Sequence, residues 1–148
     1  MRKIICDQPA RVGRFVSDIM GNDGWSSYQA IGLEEDGELI AGVLFDNYNG
    51  ASICMHVAAV PGRRWLTREF LWYVFYYPFM ELGVKRITGL VPESNLDARR
   101  FDEHLGFQLE ARLEDAHPDG AVLVYKMMKP DCRFLEMKHV KAKRTATA

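Results

Sequence analysis

The chain has 148 residues, of which 48% are hydrophobic and 26% are charged, as in an ordinary globular protein with a single core. Its 19 basic and 20 acidic side chains leave a net charge of −1, which argues against binding nucleic acid through overall charge. Three widely spaced cysteines without a Cys-x-x-Cys pair indicate neither a disulfide framework nor a metal site. The N-terminus lacks a signal-peptide core, and the longest apolar run, residues 70–80, has about half the length that spans a bilayer. We therefore expect a cytoplasmic protein without membrane contact.

The N-terminal part of the chain predicts one helix followed by a meander of strands. Residues 2–6 are a short apolar strand candidate, and the next apolar residues recur at helical spacing: Val12, Phe15, Val16 and Ile19. Pro9 falls in the first turn of that helix, where its missing N–H is tolerated. Residues 28–34, 39–48 and 51–60 are then predicted as three strands, because Asp-Gly at 36–37 and Asn-Gly at 49–50 are strong hairpin signals.

The second half of the chain predicts two helices and three strands. Residues 66–82 form an almost wholly apolar helix, which Pro78 should end or kink near Tyr77. Residues 85–92 are a strand, and residues 94–107 hold a helix with Ser94 as its N-terminal cap and Gly106 past its end. Residues 107–114 and 121–128 are a final antiparallel pair. The basic tail, residues 138–148, has no apolar periodicity and is predicted to be disordered.

The predicted order is therefore β-α-β-β-β-α-β-α-β-β, without a repeat or a linker. It indicates an α/β (α+β) fold: one domain, residues 1–130, with a mixed, mostly antiparallel sheet and helices on both faces. Residues 131–148 are predicted as a C-terminal extension.

Three local patterns carry a resemblance to a known family. Residues 36–44 are an acidic-Gly turn that leads into an apolar strand with an internal glycine, and residues 95–107 read Asn, Ala three positions on, an aromatic residue and a Gly-Phe end. Between them, residues 56–71 pass from a strand through a Pro-Gly turn with arginines into a helix. In this order the patterns resemble the GNAT superfamily of acyl-CoA-dependent N-acetyltransferases. The segment "WLTREFLWYVFYYPF" and the "CRFL" at residues 132–135 are similar to a phage and prophage subgroup of that superfamily.

The resemblance implies that the loop within residues 56–71, with Arg64 at the family's leading basic position, surrounds the pyrophosphate of the cofactor. The family's loop has two glycine or small positions, which here fall on Thr67 and Arg68. Main-chain N–H groups at a helix N-terminus can hold an anion without glycine, and neighbouring arginines can add charge; a basic surface loop before a core helix is the alternative. The residues expected to bind acetyl-CoA are Val57, Ala58, Ala59, Arg63, Arg64, Trp65, Leu66, Thr67, Arg68, Asn95 and Phe101.

The resemblance further implies direct attack of a neutral amine on the thioester, between the strands at 51–60 and 85–92. His56 is the candidate general base, because imidazole titrates near neutral pH; a hydrogen-bonded strand histidine is the alternative. Asp46, or Glu34 or Glu35 near the hairpin, could act instead through water. The family's acidic tyrosine corresponds here to Asp102, a poor proton donor unless its pKa is strongly raised, so we considered Tyr125 as a substitute. Trp25 and Tyr28 are expected to line the acceptor pocket.

Three functions compete at this stage. The first is an acetyl-CoA-dependent N-acetyltransferase with an unknown amine acceptor, which the resemblance implies to be a homodimer and, if phage-encoded, to act in the host cytoplasm. The second is a catalytically weak or inactive GNAT-fold protein that binds CoA or a protein partner, since fold alone does not imply activity. The third, a nucleic-acid binder that uses the loop arginines and the basic tail, is disfavoured by the charge balance.

Overall fold

The computed structural model describes residues 1–22 and 24–136. The strands are β1 (Arg2–Ile5), β2 (Tyr28–Glu35), β3 (Glu38–Asp46), β4 (Ser52–Ala59), β5 (Arg86–Pro92), β6 (Gln108–His117) and β7 (Gly120–Met128). The helices are α1 (Pro9–Met20), α2 (Arg68–Tyr76) and α3 (Leu96–Leu105), with a π-helical segment at Tyr77–Glu81 and 3-10 turns at Lys129–Asp131 and Arg133–Leu135. The tail predicted to be disordered, residues 138–148, lies outside the described residues.

The strands form one sheet in the order β1-β2-β3-β4-β5-β7-β6. Neighbouring strands are antiparallel except β4 and β5, which are parallel. The β2–β3 hairpin turns at Asp36 and Gly37, whose φ angles of 52° and 88° match a turn with left-handed backbone at both central positions. The predicted α+β domain with a mixed, mostly antiparallel sheet is confirmed.

Helix α1 covers one face of the sheet. Its Val12 and Val16 are buried in a cluster with Ala30 of β2, Leu44 of β3 and other strand residues. Glycines in the facing strands permit this close packing, because a Cβ at Gly32 would lie 2.9 Å from a methyl of Val12. The opposite face carries α2 and the end of α3, whose aromatic and aliphatic side chains share a second, larger cluster with β3, β4, β5 and β7. Helices therefore lie on both faces, as predicted.

The boundaries of α2 and α3 follow from their caps. The Thr67 hydroxyl accepts a hydrogen bond from the Phe70 N–H at 3.2 Å, so α2 begins at Arg68, two residues later than predicted. Regular α-helix ends at Tyr76, and the chain continues as the π-helical segment with Pro78 at its start, in line with the predicted interruption. The prediction of Ser94 as the cap of α3 is wrong, because the Asn95 carboxamide accepts from the Ala98 N–H at 3.1 Å.

The packed core continues beyond residue 130. Cys132 and Phe134 are both buried, and the Phe134 ring stacks on that of Phe75 at 4.8 Å. The Arg133 guanidinium donates hydrogen bonds to the carbonyl oxygens of His104 and Leu105 at the end of α3. Among the helices of residues 1–22 and 24–136, none is long and apolar enough to cross a membrane.

Candidate active site

The centre of the sheet opens between its two parallel strands. β4 and β5 are paired over three residues each, which are Ser52–Arg86, Ile53–Ile87 and Cys54–Thr88. Past that point β4 remains paired with β3 as far as Ala59, and β5 remains paired with β7 as far as Pro92. The edges that β4 and β5 turn toward each other, at residues 55–59 and 89–92, therefore carry main-chain N–H and C=O groups without a ladder partner in the described part of the chain.

A cavity of about 630 Å³ occupies this gap and reaches both faces of the sheet. Its walls come from the end of α1, the diverging parts of β4 and β5, Trp65 of the loop before α2, and the first turns of α3. The lining residues are Ile19, Met20, Met55, His56, Val57, Ala58, Ala59, Trp65, Gly89, Leu90, Val91, Pro92, Asn95, Asp97, Ala98, Phe101 and Asp102.

On the α1 face of the gap, His56 is paired with Asp46. The His56 Nε2 and Asp46 Oδ1 atoms are 2.8 Å apart, and each side chain is 14% exposed. A carboxylate can only accept, so Nε2 carries the proton of the neutral imidazole and Nδ1 keeps a free lone pair. His56 lies opposite Leu44, which contacts the α1 cluster, and this pairing places the imidazole on that face.

Two aromatic residues surround this pair. The Trp25 ring lies 4.7 Å from the His56 ring, and its indole N–H donates to the Ser17 hydroxyl at 2.6 Å. Tyr28 lies directly opposite Asp46 in the β2–β3 pairing. Gly13 of α1 leaves room for the phenol, because a Cβ there would lie 2.5 Å from the Tyr28 hydroxyl oxygen. The structure thus places four residues that the sequence assigned to catalysis or the acceptor pocket beside one another, and of these only His56 lines the cavity.

The opposite face of the gap is walled by α3 and the loop before α2. The rings of Phe101 and Trp65 contact each other with centroids 5.4 Å apart, and Asn95 lies at the start of α3. Asp102 lines the same wall, and burial together with the adjacent Glu103 carboxylate raises its pKa to about 7. The sequence identified Asp102 but gave it no role.

The loop before α2, which carries Arg63 and Arg64, lies beside the cavity, and Trp65 is the loop residue that lines it. Arg63 forms an ion pair with Glu35, and the Arg2 guanidinium donates to the Arg64 carbonyl oxygen at 2.6 Å, so the loop is fastened to the β1–β2 edge of the sheet. Arg64 and Arg68 are exposed. Five predicted cofactor residues are therefore absent from the cavity wall, namely Arg63, Arg64, Leu66, Thr67 and Arg68.

Tyr125 is also separate from the cavity. Its side chain is fully buried under α3, and its hydroxyl donates to the Glu103 carboxylate at 2.7 Å. Burial and this hydrogen bond raise the pKa of the phenol. A fully buried phenol already committed to a carboxylate is poorly placed to reach a substrate, so we do not retain Tyr125 as a proton donor.

In residues 1–22 and 24–136, no group of three or more His, Cys, Asp and Glu side chains could hold a metal ion.

Sequence reasoning missed the apolar rim of the cavity and one of its acidic residues. Ile19 and Met20 come from the end of α1, Leu90 from β5 and Asp97 from the first turn of α3. The structure shows that Leu90 is exposed within its strand and lines the cavity. The sequence cannot show this, because strand residues that face solvent and strand residues that line a cavity follow the same alternating pattern.

Comparison with solved structures identifies relatives of this architecture. A mutant of the spermidine N-acetyltransferase SpeG from Vibrio cholerae superposes with a TM-score of 0.71 at 16% identity, over 90% of this chain and 96% of that one. The N-acetyltransferase PseH from Campylobacter jejuni, solved with acetyl coenzyme A, gives 0.56 at 19% identity, over 78% and 76%. A probable acetyltransferase gives 0.58 at 17% identity, over 82% and 69%.

Neither a protein-family model nor a curated protein sequence matches the chain. The similarity is thus one of architecture. The chain has the GNAT fold.

Proposed function

We propose that this protein is an acetyl-CoA-dependent N-acetyltransferase that moves an acetyl group to an amine by direct attack. The observation that carries the proposal is the cavity between β4 and β5, with His56 on its wall and Asp46 hydrogen-bonded to His56 behind it. A gap in the middle of a sheet is costly for a protein to maintain unless something occupies it, because it leaves main-chain polar groups without partners.

The acetyl donor, acetyl-CoA, fits this gap through its pantetheine arm, which carries amide groups. The N–H and C=O groups of Val57, Ala58 and Ala59 can pair with the amides of pantetheine much as a neighbouring strand would. Trp65 and Phe101 offer apolar contact along the same arm. The phosphates would then reach the loop before α2, where the exposed side chains of Arg64 and Arg68 can turn toward them.

The acceptor approaches from the α1 face. There the free lone pair of His56 Nδ1 can take a proton from the attacking amine, while Asp46 holds the ring and favours the imidazolium that results. Trp25 and Tyr28 would form the walls of the acceptor pocket. The SpeG neighbour is named for spermidine; the acceptor of this chain is proposed here only as an amine.

The first test is calorimetric titration of the purified protein with acetyl-CoA and then with CoA. We expect binding in the micromolar range, followed by release of free thiol when a panel of amines is added with acetyl-CoA. Desulfo-CoA serves as a control, since it should bind but give no thiol. Absence of binding at millimolar acetyl-CoA would contradict the proposal.

One observation favours a second candidate, a GNAT-fold protein that binds CoA or a partner with little turnover. None of the three loop arginines lines the cavity, and Arg63 is already paired with Glu35. Binding of CoA without acceptor-dependent thiol release across the amine panel would support this candidate over the first. Membership of the phage subgroup, a cytoplasmic location and a homodimer stay predictions; the last is tested by light scattering.

A further inference from the structure

Few side chains that exchange protons line the cavity. Among the lining residues three can titrate: His56, Asp97 and Asp102. Asp97 is exposed in the first turn of α3, where water surrounds it. His56 and Asp102 are the two that are largely withdrawn from solvent, and they lie on opposite faces of the sheet. The cavity therefore has one candidate proton-exchanging group at each end of the gap.

Asp102 is placed against the open edge of β5. Its Oδ2 atom lies 3.0 Å from the position that a Cβ on Gly89 would occupy, so the lack of a side chain at Gly89 leaves the carboxyl group its space. Among the residues that the structure describes, no hydrogen bond or ion pair engages this carboxyl group, whereas the carboxylates of Glu93, Glu103 and Glu110 all have partners. A half-buried carboxyl group without a partner faces the cavity.

The groups around Asp102 favour its protonated form. Glu103, next to it on α3, is negative and accepts from Tyr125 of β7. Arg99, one turn earlier on the helix, donates its guanidinium to the Glu93 carbonyl oxygen. The cavity residues of β5, which are Gly89 to Pro92, carry no titratable side chain, and the one titratable cavity residue of β4, His56, lies on the far face. Burial first and Glu103 second raise the pKa of Asp102 to about 7.

We propose that Asp102 is the acid that protonates the departing thiolate of CoA. The inference rests on the proposed acetyl transfer. The amine nitrogen forms the new bond to the acetyl carbon, the carbon–sulfur bond breaks with its electron pair on sulfur, and sulfur takes the proton of the Asp102 carboxyl group. The amine's surplus proton passes to His56. Solvent at the cavity mouth then removes the proton from His56 and returns one to Asp102, so the products are the amide and neutral thiol.

The acidity of Asp102 suits this step. An ordinary carboxyl group, with a pKa of about 4, would have lost its proton at neutral pH. With a pKa of about 7, Asp102 is protonated in a large share of molecules, and transfer to a thiolate, whose thiol has a pKa of about 8.5, is favourable.

The experiment compares Asp102→Asn with wild type in kcat, acetyl-CoA affinity and pH profile. Asn keeps the size of Asp but has no acidic proton. We expect kcat to fall by about tenfold or more, acetyl-CoA affinity to stay within about twofold because no contact to the phosphates is lost, and the decline of kcat above pH 7 to disappear. Asp119→Asn, an exposed residue in the β6–β7 turn, is the matched control and should behave as wild type.

A second variant keeps the test decisive if Asp102→Asn does not fold. Glu103→Gln removes the neighbouring negative charge while leaving Asp102 in place. It should lower the pKa of Asp102, so the decline in kcat moves to lower pH. With an active wild type, an unchanged rate and pH profile in Asp102→Asn, or in Glu103→Gln if Asp102→Asn does not fold, would overturn the role of Asp102 alone. A wild type with no acetyl transfer would instead overturn the proposed function.

Discussion

The imidazole of His56 is oriented by its neighbour Asp46. The hydrogen bond of its Nε2 to Asp46 at 2.8 Å determines which ring nitrogen is free to accept a proton. The contact of the Trp25 ring at 4.7 Å limits rotation of the imidazole. A strand histidine fixed in this way differs from an exposed one, because its orientation is set before any substrate arrives.

His56→Ala should lower kcat by about 10²-fold or more, the usual contribution of a general base, with acetyl-CoA affinity unchanged. Asp46→Asn should have a smaller effect, because it removes the charge that favours imidazolium but leaves the imidazole in place. Steady-state kinetics and calorimetry on both variants check this, with Asp18→Asn on the exposed side of α1 as control. Full activity in His56→Ala would return His56 to a structural role.

Sequence reasoning reached most of the α1-side residues and fewer of those on α3. The family resemblance suggested His56, Asp46, Trp25 and Tyr28, and their roles stay predictions. Asp102 was recognised but set aside, because its usefulness depends on a pKa that burial and Glu103 determine, and neither can be read from the sequence.

At the scale of elements, turn residues made the order of the chain predictable. Asp-Gly and Asn-Gly pairs separate β2, β3 and β4, and Pro78 stops the regular part of α2. Errors arose where two residues competed for one role, as with Ser94 and Asn95 at the start of α3. The parting of β4 from β5 was expected only from the family resemblance, since it depends on contacts between strands that are distant in sequence.

The loop before α2 carries exposed arginines beside the cavity. Arg64→Glu should weaken CoA binding by about fivefold or more if the loop meets the phosphates, since it replaces attraction by repulsion. Arg14→Glu on the exposed surface of α1 makes the same change in net charge away from the gap. Equal CoA affinities of the two variants by calorimetry would mean that the phosphates bind elsewhere.

Across the whole molecule, two kinds of carboxyl group make stability depend on pH. Ion pairs with arginine lower the pKa values of Glu35, Glu93 and Glu110, so their contribution is present above about pH 4.5 and is lost as pH falls further. Asp102 has the opposite effect on the pH dependence of stability. Its pKa is raised from 3.8 to about 7, so its contribution is complete below about pH 4 and is lost as pH rises through about 7.

We therefore expect stability to decline between pH 5 and pH 8 because of Asp102. The loss is on the order of 2 kcal/mol, since each pKa unit corresponds to about 1.4 kcal/mol and partial exposure reduces it. In a domain of this size that is a fall in Tm of about 5 °C. Thermal unfolding of Asp102→Asn should show a smaller decline than wild type over this range. Parallel curves for the two proteins would contradict the assignment.

The short seam between β4 and β5 has a mechanical consequence. Three residue pairs join a half-sheet of β1 to β4 to another of β5, β7 and β6, while each half is continuously paired within itself. A molecule bound in the gap would contact both halves along the length where they do not contact each other. Bound acetyl-CoA would then act as a temporary middle strand. It would set the width of the gap, and that width would determine how His56 and Asp102 are aligned.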